Sequence, residues 1–164
     1  LSISAMIALG LALLPGSAVA QQKTLKEQLV GTWTLVSSET TAANATKQQL
    51  YGANPKGMLI LDTSGRYVYA AARPDRAKPK SASRFQVTDA ELGAAARGFA
   101  ANFGTWSVNE ADKTLTRRYD GALIPANEGS DQKSTVTLTG DDLKLSTVSP
   151  TSGDRNDIAF RRAR

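Results

Sequence analysis

The stretch FGTWSVNEADKTLTRRYD, Phe103–Asp120, decides the fold. It holds two runs of strand character, Phe103–Asn109 and Lys113–Asp120, joined by Glu110-Ala111-Asp112. That polar tip is short enough for a hairpin. In the second run Leu115, Arg117 and Tyr119 share one face, and Arg118 takes the other. The same design recurs on both sides. Downstream, Gln132–Thr139 and Leu143–Val148 flank Gly140-Asp141-Asp142. Upstream, Lys56–Asp62 and Arg66–Ala72 flank Thr63-Ser64-Gly65. Leu29–Glu39 opens the series, with Gly31, Trp33 and Leu35 opposite Thr32, Thr34 and Val36. Asn156–Arg162 ends it.

Eight strands joined mostly by tight turns predict an antiparallel meander. Such a meander can close into an up-and-down barrel, which removes exposed edges and leaves room for about one small ligand. A sandwich is the competing architecture. Between the third and fourth strands, Arg73–Ser83 breaks the pattern with two prolines and four basic residues. Thr88-Asp89-Ala90-Glu91 then fits a capping box, and Leu92, Ala95, Ala96, Phe99 and Phe103 follow at helical spacing. The spacing predicts one helix over about 89–101, packed on the barrel or lying over its open end. Lys23–Leu29 can form one or two helical turns, and Thr40–Pro55 reads as a polar loop. Gly-Thr-Trp occurs at 31–33 and again at 104–106, too short a match to establish a repeat.

Composition narrows the chemistry. The 164 residues include no cysteine and no histidine. Thiol nucleophiles, Ser-His-Asp triads, Cys/His zinc sites and histidine-ligated haem therefore lack their essential atoms. A hydrophobic fraction of 41% is enough for a real core. Residues 1–20 carry no charge, and the run Met6–Leu14 is followed by Pro15-Gly16 and Ala18-Val19-Ala20. This is the pattern of a secretory signal peptide cleaved after Ala20, and its apolar run is too short to span a bilayer. Residue 1 is Leu and no basic region precedes the run, so the reading expects a start a few residues upstream. The domain is then 21–164, exported to the periplasm or the exterior, with the whole net charge of +5.

A short helix followed by Gly31-Thr32-Trp33 resembles the opening of lipocalin and wider calycin barrels. More specific are Tyr51-Gly52-Ala53-Asn54-Pro55-Lys56-Gly57-Met58-Leu59-Ile60-Leu61-Asp62 and Gly65-Arg66-Tyr67. With Arg73-Pro74-Asp75-Arg76, Phe103–Val108 and Gly129-Ser130-Asp131-Gln132, they make the chain resemble the bacterial and fungal lipocalin-like domain family over nearly all of 29–162. The resemblance implies an all-β fold, an eight-stranded antiparallel up-and-down barrel with one inserted α-helix behind a signal peptide. It also implies that Trp33 plugs one barrel end under Arg162, which alternation with Ile158 and Phe160 puts on the same face. Asn127 and Ser134 stand where many relatives are expected to carry an aromatic residue and an arginine.

Candidate ligand contacts follow from alternation. Tyr67 and Tyr69 share a face, and Arg117 and Tyr119 share another, with Gln132, Ser134, Val136 and Leu138 continuing the same interior. If Arg117 points inward it needs a carboxylate or an anionic ligand, because an unpaired buried charge costs several kcal/mol. In the opposite register it is solvated. Arg73–Lys80 is either an anion-attracting rim, facing acidic lipid headgroups among others, or a solvated connector. Glu128 and Asp131 lie near a barrel mouth, and no acids have the spacing of a catalytic pair or a metal site.

Three functional readings stay open. One is a binding module, expected to be a monomer, for a small hydrophobic or amphipathic molecule held by Tyr67, Tyr69, Arg117, Tyr119 and Gln132. The second is an isomerase or cyclase using Tyr or Glu128 as acid. The third is an envelope protein without a ligand. The residues favour binding over catalysis. They call for no cofactor, metal, nucleic acid or membrane-spanning segment after cleavage.

Overall fold

Nine strands form one antiparallel sheet, and pairing of its last strand with its first closes the sheet into a barrel. A computed structural model describes residues 23–164 of the chain. The strands are β1 (Gly31–Thr41), β2 (Lys47–Gln49), β3 (Lys56–Leu61), β4 (Arg66–Ala72) and β5 (Phe99–Asn109). They continue as β6 (Thr114–Ala122), β7 (Asp131–Thr139), β8 (Asp142–Val148) and β9 (Arg155–Arg162). Helix α1 is Leu25–Leu29 and helix α2 is Asp89–Ala96. The barrel order is β1-β3-β4-β5-β6-β7-β8-β9. The seam runs from Trp33 opposite Arg162 to Thr41 opposite Arg155. The short β2 is a ninth strand outside the eight, paired with the far end of β1. The closed seam excludes the sandwich. The signal-peptide pattern of residues 1–20 lies outside the described residues.

The period-two pattern sets what faces inward. Trp33, Leu35, Leu59, Leu61, Tyr67, Tyr69, Trp106, Leu115, Val136, Leu143, Leu145, Ile158 and Phe160 are buried. Met58, Val68 and Phe103 lie on the outer face, about half exposed. Two irregularities re-aim side chains, as bulges do. In β1 the register against β9 shifts between Leu35 and Ser37, which turns Ser38 inward. In β5 and β6, Phe103 faces Gly121 and Gly104 faces Tyr119, leaving Asp120 as the extra residue. At Gly104 a side chain has no room, because a Cβ there would lie 2.0 Å from the Arg118 carbonyl oxygen.

Antiparallel alternation gives the barrel two unlike ends. One end carries α1 and the tight hairpins after β3, β5 and β7. The other carries the longer connections after β1, β4, β6 and β8. Helix α1 caps the first end and is held at both termini. Its own capping box joins Thr24 and Glu27. Glu110, from the β5–β6 hairpin, accepts the amides of Leu25 and Lys26 at 2.9 Å each. Arg162 donates to the carbonyls of Gln28 and Val30 at the helix's other end. A carboxylate at a helix N-terminus and a cation at its C-terminus both suit the exposed backbone groups there.

Helix α2 differs from its expected extent. The capping box of Thr88 and Glu91 forms, but the helix ends at Ala96, and residues from Phe99 onward are β5. Pairing of Phe99 with Ala72 and of Ala101 with Ala70 draws the segment into the sheet. No residue of α2 is buried, and Leu92 is 39% exposed, so the expected apolar stripe is not a packed face. Phe99 instead takes the Arg76 guanidinium over its ring at 5.0 Å.

Candidate functional site

The barrel interior changes character along its axis. Near α1 it is dry. The Trp33 indole is fully buried and donates to the Leu29 carbonyl at 2.9 Å. Arg162 lies over its ring, with the guanidinium carbon 4.1 Å from the centroid. Such a stack is worth about 0.5–2 kcal/mol depending on desolvation. Leu115, Val136, Leu143, Leu145, Ile158 and Phe160 fill the space around it.

Toward the open end the inward positions turn polar. Arg117 is 2% exposed, so the register that points it inward is the one adopted, and Arg118 points outward to pair with Asp131. The guanidinium of Arg117 lies over the rings of both Tyr67 and Tyr69, 5.6 Å from each centroid. It can do so because those tyrosines are two apart on β4 and share a face. Arg117 faces Gln132 across the β6–β7 ladder, and its Nη2 donates to the Gln132 Oε1. The Tyr119 hydroxyl donates to the same oxygen at 3.0 Å. Tyr67, Tyr69, Arg117, Tyr119 and Gln132 thus form one cluster. Ser134 continues it, fully buried and bonded to Thr147 Oγ1 at 2.7 Å.

Many polar atoms of this half have no partner. Ser38 Oγ, Tyr67 OH, Asn102 Oδ1, Asn156 Oδ1 and the Nε and Nη1 of Arg117 are all buried without a hydrogen bond. Native interiors leave few such groups, and each one calls for an explanation. Sequence patterning missed three of these residues. Ser38 is turned inward by the bulge in β1. Asn102 fell next to a helix expected to run to residue 101, though its place opposite Tyr69 in the ladder puts it inside. Asn156 sits at the very start of β9, where alternation has hardly begun. Tyr51 was also missed as a site residue, since it packs against the core from a loop.

Burial by the core holds the phenols of Tyr67 and Tyr69 well above the ordinary 10.0, only partly opposed at each by the positive charge of Arg117. Both stay protonated, so each hydroxyl is available as a hydrogen-bond donor. A phenol whose pKa is raised by folding stabilises the fold below its unfolded pKa, and that contribution is lost as pH rises beyond it. Tyrosinate absorbance is therefore expected to stop short of the four tyrosines until the barrel unfolds at high pH. Full ionisation of all four before loss of the far-ultraviolet signal would contradict this placement.

A cavity of about 770 Å³ opens at this end, and its lining includes Tyr119, Asn127, Gln132, Thr147 and Asn156. It touches the polar cluster through Tyr119 and Gln132. Glu128 does not join the cluster. Its exposed carboxylate accepts the Ala122 amide at 3.2 Å and so braces the β6–β7 connection. Asp131 is likewise turned outward to Arg118. The basic loop is exposed, and within it Arg73 pairs with Asp75 at 3.0 Å. Among the described residues no helix is long and apolar enough to cross a membrane.

A family model described as a lipocalin-like domain matches residues 30–160. Similar solved structures include a designed fluorescence-activating β-barrel. It is 12% identical, covers 87% of this chain and 100% of its own, and superposes with a TM-score of 0.44. No curated protein matches the chain.

Proposed function

This chain belongs to the lipocalin-like domain family, and on that premise we propose that it binds a small, partly hydrophobic molecule within the open half of its barrel. The observation that carries the proposal is the set of buried, unpartnered polar atoms on Ser38, Tyr67, Asn102, Arg117 and Asn156. Leaving such groups unmade costs about 1–3 kcal/mol each, which a ligand's own polar atoms would offset. The aromatic rings of Tyr67 and Tyr69 and the core beneath them supply the apolar share of the contact. The open cavity lined by Tyr119 and Gln132 adjoins the cluster on the side from which a ligand would enter. Export is part of the same proposal and rests on the uncharged, apolar pattern of residues 1–20.

The neutral fluorophore N-phenyl-1-naphthylamine tests the reading. Titration into the protein is expected to give a saturable rise in emission at one site per chain. Thr147→Trp, which fills the cavity wall, is expected to abolish the rise while leaving the far-ultraviolet spectrum unchanged. Absence of saturable binding to the wild-type protein, or equal binding to the folded variant, would overturn it.

A further inference from the structure

The arginines on the barrel strands differ in their partners, and Arg162 is taken up by Trp33 and the end of α1. Those on the outer face meet carboxylates: Arg66 with Asp120, Arg118 with Asp131, Arg155 with Asp157 and Arg161 with Asp142. Arg117 is the buried one, and among the described residues no carboxylate reaches it. A guanidinium carries five N–H donors in a fixed plane. Here Nη2 has the Gln132 amide oxygen, and Nε and Nη1 have nothing. An amide oxygen brings a dipole where a buried cation calls for a full negative charge. The tyrosine faces help through their ring quadrupoles but satisfy no N–H.

The arrangement has the parts of an acid-group receptor. A guanidinium is presented with free donors, and the Tyr67 hydroxyl beside it is buried and unpartnered. A neutral oxygen, Gln132 Oε1, occupies one donor at the point where the cluster meets the open cavity. We propose that the barrel selects anionic ligands. The acid group, a carboxylate or sulfonate, is received by Arg117, displaces the Gln132 oxygen and takes the Tyr67 hydroxyl as a second donor. The apolar, ring-bearing remainder stacks toward Tyr67 and Tyr69. This inference rests on the binding function proposed above and names its ligand class.

A matched pair of probes separates the two. 1-Anilinonaphthalene-8-sulfonate differs from N-phenyl-1-naphthylamine by its sulfonate, so the pair isolates the contribution of the charge. Charge-assisted hydrogen bonds of this kind correspond to an affinity difference of about 10- to 100-fold. Arg117→Met is expected to weaken the sulfonate probe by about that factor and to change the neutral probe by less than about threefold. Arg117→Lys, which keeps the charge but not the fork of donors, should fall between. Arg118→Met removes an equal charge from the outer face and is expected to change neither probe. An equal loss of both probes in Arg117→Met would assign Arg117 a packing role and overturn the inference. So would an equal loss of the sulfonate probe in Arg118→Met, which would reduce the effect to general charge attraction. Failure of the wild-type protein to bind the neutral probe instead removes the broader reading. Arg117-dependent capture of the sulfonate probe alone would still support the anion site.

Discussion

Trp33→Ala is expected to cost about 3–5 kcal/mol of folding stability, the largest single loss in the barrel. Three contacts disappear together. The indole is fully buried and fills the end of the barrel under α1. Its N–H holds the Leu29 carbonyl at the end of that helix. Its ring is the platform on which Arg162 lies, and Arg162 in turn holds the carbonyls of Gln28 and Val30. A helix of only five residues does not persist on its own propensity. It stays because Glu110 grips one end and Trp33 and Arg162 grip the other. Against a total of about 5–15 kcal/mol for a domain, the loss puts the variant near unfolding at ordinary temperatures. Arg162→Ala should cost less, since the indole stays buried without it. Urea unfolding followed by far-ultraviolet circular dichroism measures both. A Trp33→Ala loss below about 1 kcal/mol would mean that the capped end does not bear the fold's stability.

The parts legible in the sequence are those where one physical signal dominates. Each hairpin carries a turn of Gly, Ser or Asp between alternating runs, so the eight strands of the barrel and their sequential pairing are legible from local pattern, while the ninth is not. Alternation grouped Arg117 with Leu115 and Tyr119 on one face but left open whether that face looks inward or to solvent. Only the closed sheet settles it, burying Leu115 and Arg117. Where two signals competed, local pattern lost. Phe99-Ala100-Ala101-Asn102 continues a helical spacing as readily as it begins a strand, and pairing with β4 decides for the strand. Ser38 fell out of phase because a bulge is invisible to a period-two count. The three residues of β2 alternate nothing, and only the free edge of β1 makes them a strand. The capping role of Glu110 depends on α1 folding across a distant hairpin, a contact that no local rule anticipates.

The unlike halves of the interior carry the account. The end under α1 is packed for stability, while the open end keeps polar groups whose partners the chain does not supply. A site held ready for a ligand in this way costs folding free energy, so removing it should stabilise the protein. Arg117 is the sharpest case. Replacing buried ion pairs or triads by apolar side chains of similar volume is often neutral or stabilising by about 1–4 kcal/mol, and Arg117 has no carboxylate partner that its replacement would leave stranded. Methionine at 117 also keeps favourable sulfur contacts with the rings of Tyr67 and Tyr69. It frees Gln132 Oε1, which still accepts from Tyr119. The direct measurement is the thermal midpoint of Arg117→Met against the wild-type protein, with no ligand added and again with 1-anilinonaphthalene-8-sulfonate. Without ligand the variant is predicted to melt roughly 3–8 °C higher. With the sulfonate present, the wild-type midpoint should rise and the variant's should not, because only a ligand that binds the native state raises stability. An Arg117→Met protein that melts below the wild type without ligand would contradict the account, because Arg117 would then be a structural tie within the core.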